Sequence, residues 1–306
     1  LKAFNILAGA GFNVNAKDEY GRSALFYAGV DTLEFFKANG SNLNARDKQG
    51  CNALDYNFIE GNPNEAGFLF KNGLKLSPEI IKGKFGGNAV ECFKNGEMQL
   101  YYHAVETGAN ADFDGIITRH AIQSSNADLL KYLNKNGVDF NEHCIVYKNT
   151  NLSPLQFNCR VGGLTTLETL IELGADVNDT SSITPAILLA SEEGYTPLVN
   201  YILDHGFNPN LEYLSPTTLK KTTILMDAIN QNELDLVFEL IERGANPFQT
   251  FKVTDRTTDD FVISSKKIYN PYDDNHTFPL FELTRMCEIE NDLFVKILEQ
   301  NKENLD

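Results

Sequence analysis

The chain has 306 residues, with 26 Lys and Arg against 42 Asp and Glu and a formal net charge of -16. That balance lacks the basic surface that neutralises phosphates, which argues against nucleic acid and anionic lipid as partners and leaves room for a basic protein. No apolar run approaches a membrane span, and Cys51, Cys92, Cys144, Cys159 and Cys287, widely spaced and without Cys-x-x-Cys, read as reduced thiols of a cytoplasmic protein.

Eight glycines punctuate the chain, 29 to 38 residues apart: Gly11, Gly40, Gly73, Gly108, Gly137, Gly174, Gly206 and Gly244. Each follows an apolar pair at the spacing of one buried helix face, from Phe4/Leu7 and Leu33/Phe36 to Val237/Leu240. A recurrence of this length predicts a stacked repeat array.

In chain order, the segment ending at Gly11 reads as an N-terminal half unit that starts in mid-helix at Leu1. The unit from Ser23 to Gly40 spans 17 residues, whereas helix starts at Asn52, Gly87, Ile116, Ser153, Pro185 and Thr223 each precede their closing glycine by 21. Each unit is therefore predicted to be a helix pair. Ser153 before Pro154 and Thr184 before Pro185 offer a capping oxygen followed by a preset φ. Inside the first helix, Ala28, Asn57, Cys92, Ala121, Asn158, Ala190 and Ala228 are mostly small, which favours close stacking. Gly61, Gly96, Gly162 and Gly194, with Asn232 in the same place, mark the turn between the two helices. After the closing glycine, runs such as Gly11-Phe12-Asn13-Val14-Asn15 and Gly174-Ala175-Asp176-Val177-Asn178 predict a tight turn into an extended loop.

Ser23-Ala24-Leu25-Phe26-Tyr27-Ala28, Ser153-Pro154-Leu155-Gln156-Phe157-Asn158 and Thr223-Ile224-Leu225-Met226-Asp227-Ala228 resemble the Thr-Pro-Leu-His-x-Ala start of the ankyrin repeat family. That pattern repeats every ~33 residues. The resemblance implies an all-α, ankyrin-type solenoid of about eight helix pairs plus an N-terminal half repeat, with hairpin loops along one edge and a long C-terminal loop insertion. One domain would cover residues 1–306, with the insertion at 245–277 and the last helix pair at 278–300. No unit keeps the histidine of the pattern, and Asn57 and Asn158 stand where alanine is usual.

Catalytic signatures are missing from the sequence: there is no phosphate-binding Gly-x-x-x-x-Gly-Lys-Ser/Thr, no Gly-x-Ser-x-Gly and no His-Glu-x-x-His. His143-Cys144 is the nearest nucleophile pair, but neighbours in an extended segment point opposite ways. Asp112-Phe113-Asp114-Gly115 lacks the third ligand and closing Glu of a calcium loop. An enzyme would need His103, His120 or His143 to converge with carboxylates in a closed pocket. The expectation is no enzyme, no cofactor and no metal.

The 33-residue loop from Ala245 to Thr277 is the outlier. It carries Phe251, Phe261, Val262, Ile263, Tyr269 and Tyr272 with Lys252, Arg256, Lys266 and Lys267, either as a finger of aromatic anchors or folded back over the last repeats. The family resemblance implies recognition through hairpin tips and the concave face of the first helices. The partner-binding candidates are then Tyr20, Arg22, Lys48, Phe113, Tyr147, Lys148, Tyr213 and Lys220, with Phe251, Arg256, Tyr269 and Tyr272 from the long loop. The expected function is a monomeric, non-enzymatic protein-interaction scaffold. The alternatives are an acidic antagonist of a basic enzyme, or an adaptor segment of a larger protein such as a bacterial effector secreted into a host cytosol.

Overall fold

A computed structural model describes residues 6, 9–82, 85–142, 144–180, 184–214, 221–231, 233–246, 251–252 and 276–277. The chain divides into two compact units, Leu1–His120 with Lys131–Val138, and Ala121–Leu130 with Asp139–Asp306.

The first unit opens with a 3-10 turn, Ala24–Tyr27, followed by α1 (Val30–Ala38), α2 (Ala53–Ile59), α3 (Pro63–Lys71), α4 (Pro78–Ile81), α5 (Gly86–Lys94) and α6 (Met98–Thr107). Helices α7 (Ile116–Gln123) and α8 (Ala127–Lys135) span the division of the chain. In the first unit α2 packs on α3 and α5 on α6, while α3 also meets α1 and α5. Leu25, Leu33, Leu54, Leu69, Leu100 and Tyr101 are completely buried there.

The second unit contains the hairpin β1 (Ile145–Tyr147) and β2 (Thr150–Leu152), then α9 (Pro154–Val161), α10 (Leu164–Glu172), α11 (Ala186–Glu192) and α12 (Thr196–Asp204). A second hairpin, β3 (Glu212–Leu214) with β4 (Lys221–Thr223), leads into α13 (Ile224–Gln231) and α14 (Leu234–Glu242). Helix α9 packs on α10 and α11, α11 on α12, and α13 on α14. Within the stretch expected to be the long insertion, β5 (Phe251–Lys252) pairs antiparallel with β6 (His276–Thr277). Residues 253–275 and the expected helix pair at 278–300 lie outside the described residues, as does Asn232. Among the described residues seven of the expected pairs are seen, one of them reduced.

All eight closing glycines, and Gly61, Gly96, Gly162 and Gly194 between paired helices, have φ between 73° and 107°. A Cβ is strained in that region, so the periodicity of glycine is a periodicity of backbone. The helix starts also hold, with Ser153 accepting from the Gln156 amide and Gln156 reciprocating. Asn52 and Asp55 form the same capping box.

Three details differ from the sequence reading. The short unit has no room for a first α-helix, and closes as a 3-10 turn with Phe26 N–H on the Ser23 carbonyl at 3.0 Å. The N-cap of α11 is Pro185, one residue later than expected, and the Thr184 carbonyl accepts from Gln156 Nε2 at 3.1 Å. Helix α4 was not foreseen, although Ser77-Pro78 repeats the Ser153-Pro154 start.

The asparagines after the glycines join one repeat to the next. Asn15 Nδ2 donates to the Gly40 carbonyl at 3.1 Å while its Oδ1 accepts from the Asn42 amide at 2.7 Å. The second unit repeats this three times, from Asn141 to Gly174 and Asp176, from Asn178 to Gly206 and Asn208, and from Asn210 to Gly244 and Asn246. The unusual Asn57 and Asn158, both buried, brace their own helix turns. Asn62 Nδ2 donates to Asn57 Oδ1 at 3.3 Å, and Asn158 Nδ2 donates to the Gly163 carbonyl at 2.8 Å.

Candidate interaction surface

Two adjacent loop tips of the first unit are built alike. Asp18 Oδ1 accepts from the amides of Tyr20 and Arg22, and Asp47 Oδ1 from those of Gln49 and Cys51, so each carboxylate folds its own turn. The Lys48 amide donates to the Tyr20 carbonyl at 2.9 Å and ties the two turns together.

Arg22 spans them. Its Nε donates to Asp47 Oδ2 at 3.0 Å, where the carboxylate side chain is 1% exposed. Its guanidinium lies 4.6 Å from the Tyr56 ring centre and 5.5 Å from that of Tyr20. Tyr27 donates its hydroxyl to Asp18 Oδ2 at 2.9 Å and meets Tyr56 edge to face at 5.7 Å. The outcome is a rigid cationic and aromatic clamp with Tyr20 and Tyr27 each 54% exposed. Tyr27 and Tyr56 were missed in the sequence. The available signal was that both stand one residue before the small position, Ala28 and Asn57, in successive repeats.

Other candidates are scattered. Phe113, 44% exposed, sits in the turn that enters α7, its ring 3.8 Å from where a Cβ on Gly87 would lie. Asp112 beside it caps that helix, accepting from the amides of Ile117 and Thr118 and from the Thr118 hydroxyl. Burial raises its pKa above 3.8, against the pull of those bonds.

In the second unit, Tyr147 and Lys148 form the tip of the β1–β2 hairpin, where Lys148 and Asn149 have φ of 46° and 66°. Lys148 Nζ lies 5.2 Å from the Tyr147 ring centre, and both residues border a groove of about 260 Å³ that also touches Arg160 and Leu189. Tyr213 must be corrected. It is 5% exposed, not a surface anchor, because its hydroxyl donates to buried Asp227. Among the described residues, the exposed large apolar side chains of these hairpins are instead Val146 at 58% and Leu214 at 63%. Lys220, Arg256, Tyr269 and Tyr272 lie outside the described residues, and for Phe251 only the strand pairing is described.

The groups weighed for chemistry are engaged structurally. His103 accepts the Leu76 amide and leans on Phe70, and His120 meets the Phe93 ring edge at 5.0 Å. His143 lies outside the described residues. Burial pushes the Cys92 thiol up to about 12, and raises Cys51 and Cys159 as well. These three therefore stay protonated at neutral pH. Among the described residues no group of three His, Cys, Asp or Glu is placed to hold a metal, and no helix is long and apolar enough to cross a membrane.

Helix pairs closed by left-handed glycines, and joined by loops whose asparagines reach the following repeat, make up both units. The fold is ankyrin-like. No family model and no curated protein matches the chain. Among solved structures it is similar to the human ASB11 ankyrin repeat domain, at 18% identity over 74% of this chain and 100% of that one, with a TM-score of 0.44. A likeness at that level says nothing of what this chain binds.

Proposed function

We propose that the protein is a non-enzymatic interaction scaffold that docks a protein partner on the clamp formed by Tyr20, Arg22 and Tyr27. The observation that carries this reading is the combination of exposure and rigidity. Two tyrosines are each 54% exposed, while the arginine between them is held by an aspartate and a third tyrosine. Large amphipathic side chains already fixed in place lose little freedom on binding, which is why such groups dominate interface energetics.

Exposed Lys48 and Phe113 add to the proposal in the first unit, half-buried Tyr147 and exposed Lys148 in the second, and the expected insertion contributes Phe251, Arg256, Tyr269 and Tyr272. Net charge of -16 favours a basic partner and binding that weakens with salt. We read the chain as a monomeric array in a reducing, cytoplasmic setting.

The test is affinity capture on the immobilised full chain, compared with Tyr20→Ala/Tyr27→Ala and with a deletion of residues 253–275. Loss of the same partner from the double variant, at unchanged thermal unfolding, supports the clamp. Equal recovery by wild type and double variant overturns it. Loss only from the deletion variant moves the site to the insertion.

A further inference from the structure

Four helix ends carry the dipeptide Asn-Gly: Asn39-Gly40, Asn72-Gly73, Asn95-Gly96 and Asn136-Gly137. All four lie in the first unit, and the dipeptide occurs nowhere else in the chain. Asn-Gly is the sequence in which ring closure onto the asparagine side chain is least hindered, since glycine presents no Cβ to the reaction.

Each junction is tied in the same way. Asn39, Asn72, Asn95 and Asn136 donate Nδ2 to the carbonyls of Phe35, Phe68, Glu91 and Tyr132, each at 2.8 Å. The following glycine amides donate to the carbonyls of Lys37, Phe70, Phe93 and Asn134, at 3.3, 2.9, 3.0 and 2.9 Å. Both reacting groups, the amide that would be expelled and the nitrogen that would attack, are thus held by the helix end itself. The backbone angle opposes reaction too. A five-membered ring needs the glycine nitrogen to eclipse Cβ about the asparagine Cα–C bond. The ψ values of 20°, 15° and 6° at Asn39, Asn72 and Asn95 turn it well away from Cβ.

We propose that these four junctions are latent modification sites, kept unreactive by their helix caps and opened to succinimide formation when a cap frays, so that Asn-Gly deamidation falls on the first unit. In the reaction the glycine nitrogen gives its proton to hydroxide and attacks Cγ. The N–Cγ bond forms, Nδ2 takes a proton from water, the Cγ–Nδ2 bond breaks and ammonia leaves, restoring the hydroxide. Water then opens the imide at either carbonyl, giving aspartate or isoaspartate, with no change of oxidation state. An aspartate left at the cap cannot donate to the carbonyl four residues back, and its charge faces the negative end of the helix dipole. A cap that has reacted therefore closes less well than before.

The experiment incubates the full chain at mildly alkaline pH with and without denaturing urea, and follows each junction by peptide mass mapping and isoaspartate detection. In urea all four junctions should convert and yield isoaspartate. In native buffer each should convert at least about tenfold more slowly, because only the open fraction reacts. A junction that converts as fast in native buffer as in urea overturns the proposal, as does conversion in urea without isoaspartate.

Discussion

Asp55 grips Ser77 twice across a repeat boundary, accepting its backbone amide at 2.7 Å on one carboxylate oxygen and its hydroxyl at 2.8 Å on the other. The same carboxylate accepts the Asn52 amide at 2.9 Å and is completely buried. Asp55 occupies the third position of its helix, where the family pattern has histidine. Gln156 holds the equivalent place and donates to the Thr184 carbonyl. From that place both side chains bridge to the following repeat. Removing Asp55 strands two buried amides, each costing on the order of 1–3 kcal/mol. Asp55→Ala should lower the unfolding free energy of the first unit by about 3 kcal/mol in urea titrations.

His103 makes the first unit sensitive to acid. Its Nε2 accepts the Leu76 amide at 3.2 Å, a bond that only the neutral ring can make. Burial first, and the charge of Lys75 second, hold its pKa below 6.5, with Glu106 opposing. The unfolded chain takes the proton more readily. This contribution to stability is therefore complete above 6.5 and is lost as pH falls from there through the lower folded value. Urea unfolding on either side of that pH should show the loss in wild type. His103→Gln, which keeps an acceptor and cannot titrate, should show less, and equal pH dependence in the two proteins would refute the assignment.

The asparagine rungs act one boundary at a time. Asn178→Ala removes a donor to the Gly206 carbonyl at 2.9 Å and an acceptor for the Asn208 amide at 2.7 Å. The expected cost is ~1–2 kcal/mol, and hydrogen exchange at the Asn208 amide should accelerate while the Asn42 amide is unaffected.

Tyr213 is a structural residue. Tyr213→Phe leaves buried Asp227, among the described residues, with the long contact to Thr222 at 3.5 Å. A loss of about 2 kcal/mol in the second unit is expected, with partner capture unchanged at permissive temperature. Reduced capture by a fully folded variant would return Tyr213 to the binding surface.

What could be read from the residues alone was local. Glycine at φ > 0, apolar pairs one helical turn apart, Ser-Pro starts and the four-residue shortfall before Gly40 all act within a few residues of themselves. Their period therefore exposed the repeat, its helix ends and the short unit, though not that its first helix closes as a 3-10 turn. What needed the tertiary structure was every relation between repeats. The Arg22 clamp, the Asn178 rung and the Asp55 bridge join residues 22 to 28 positions apart. Tyr213 looked like an exposed loop tyrosine until its partner, 14 residues on, was placed beneath it. A side chain's exposure is decided by what the neighbouring repeat lays over it, and no property of the residue itself carries that information.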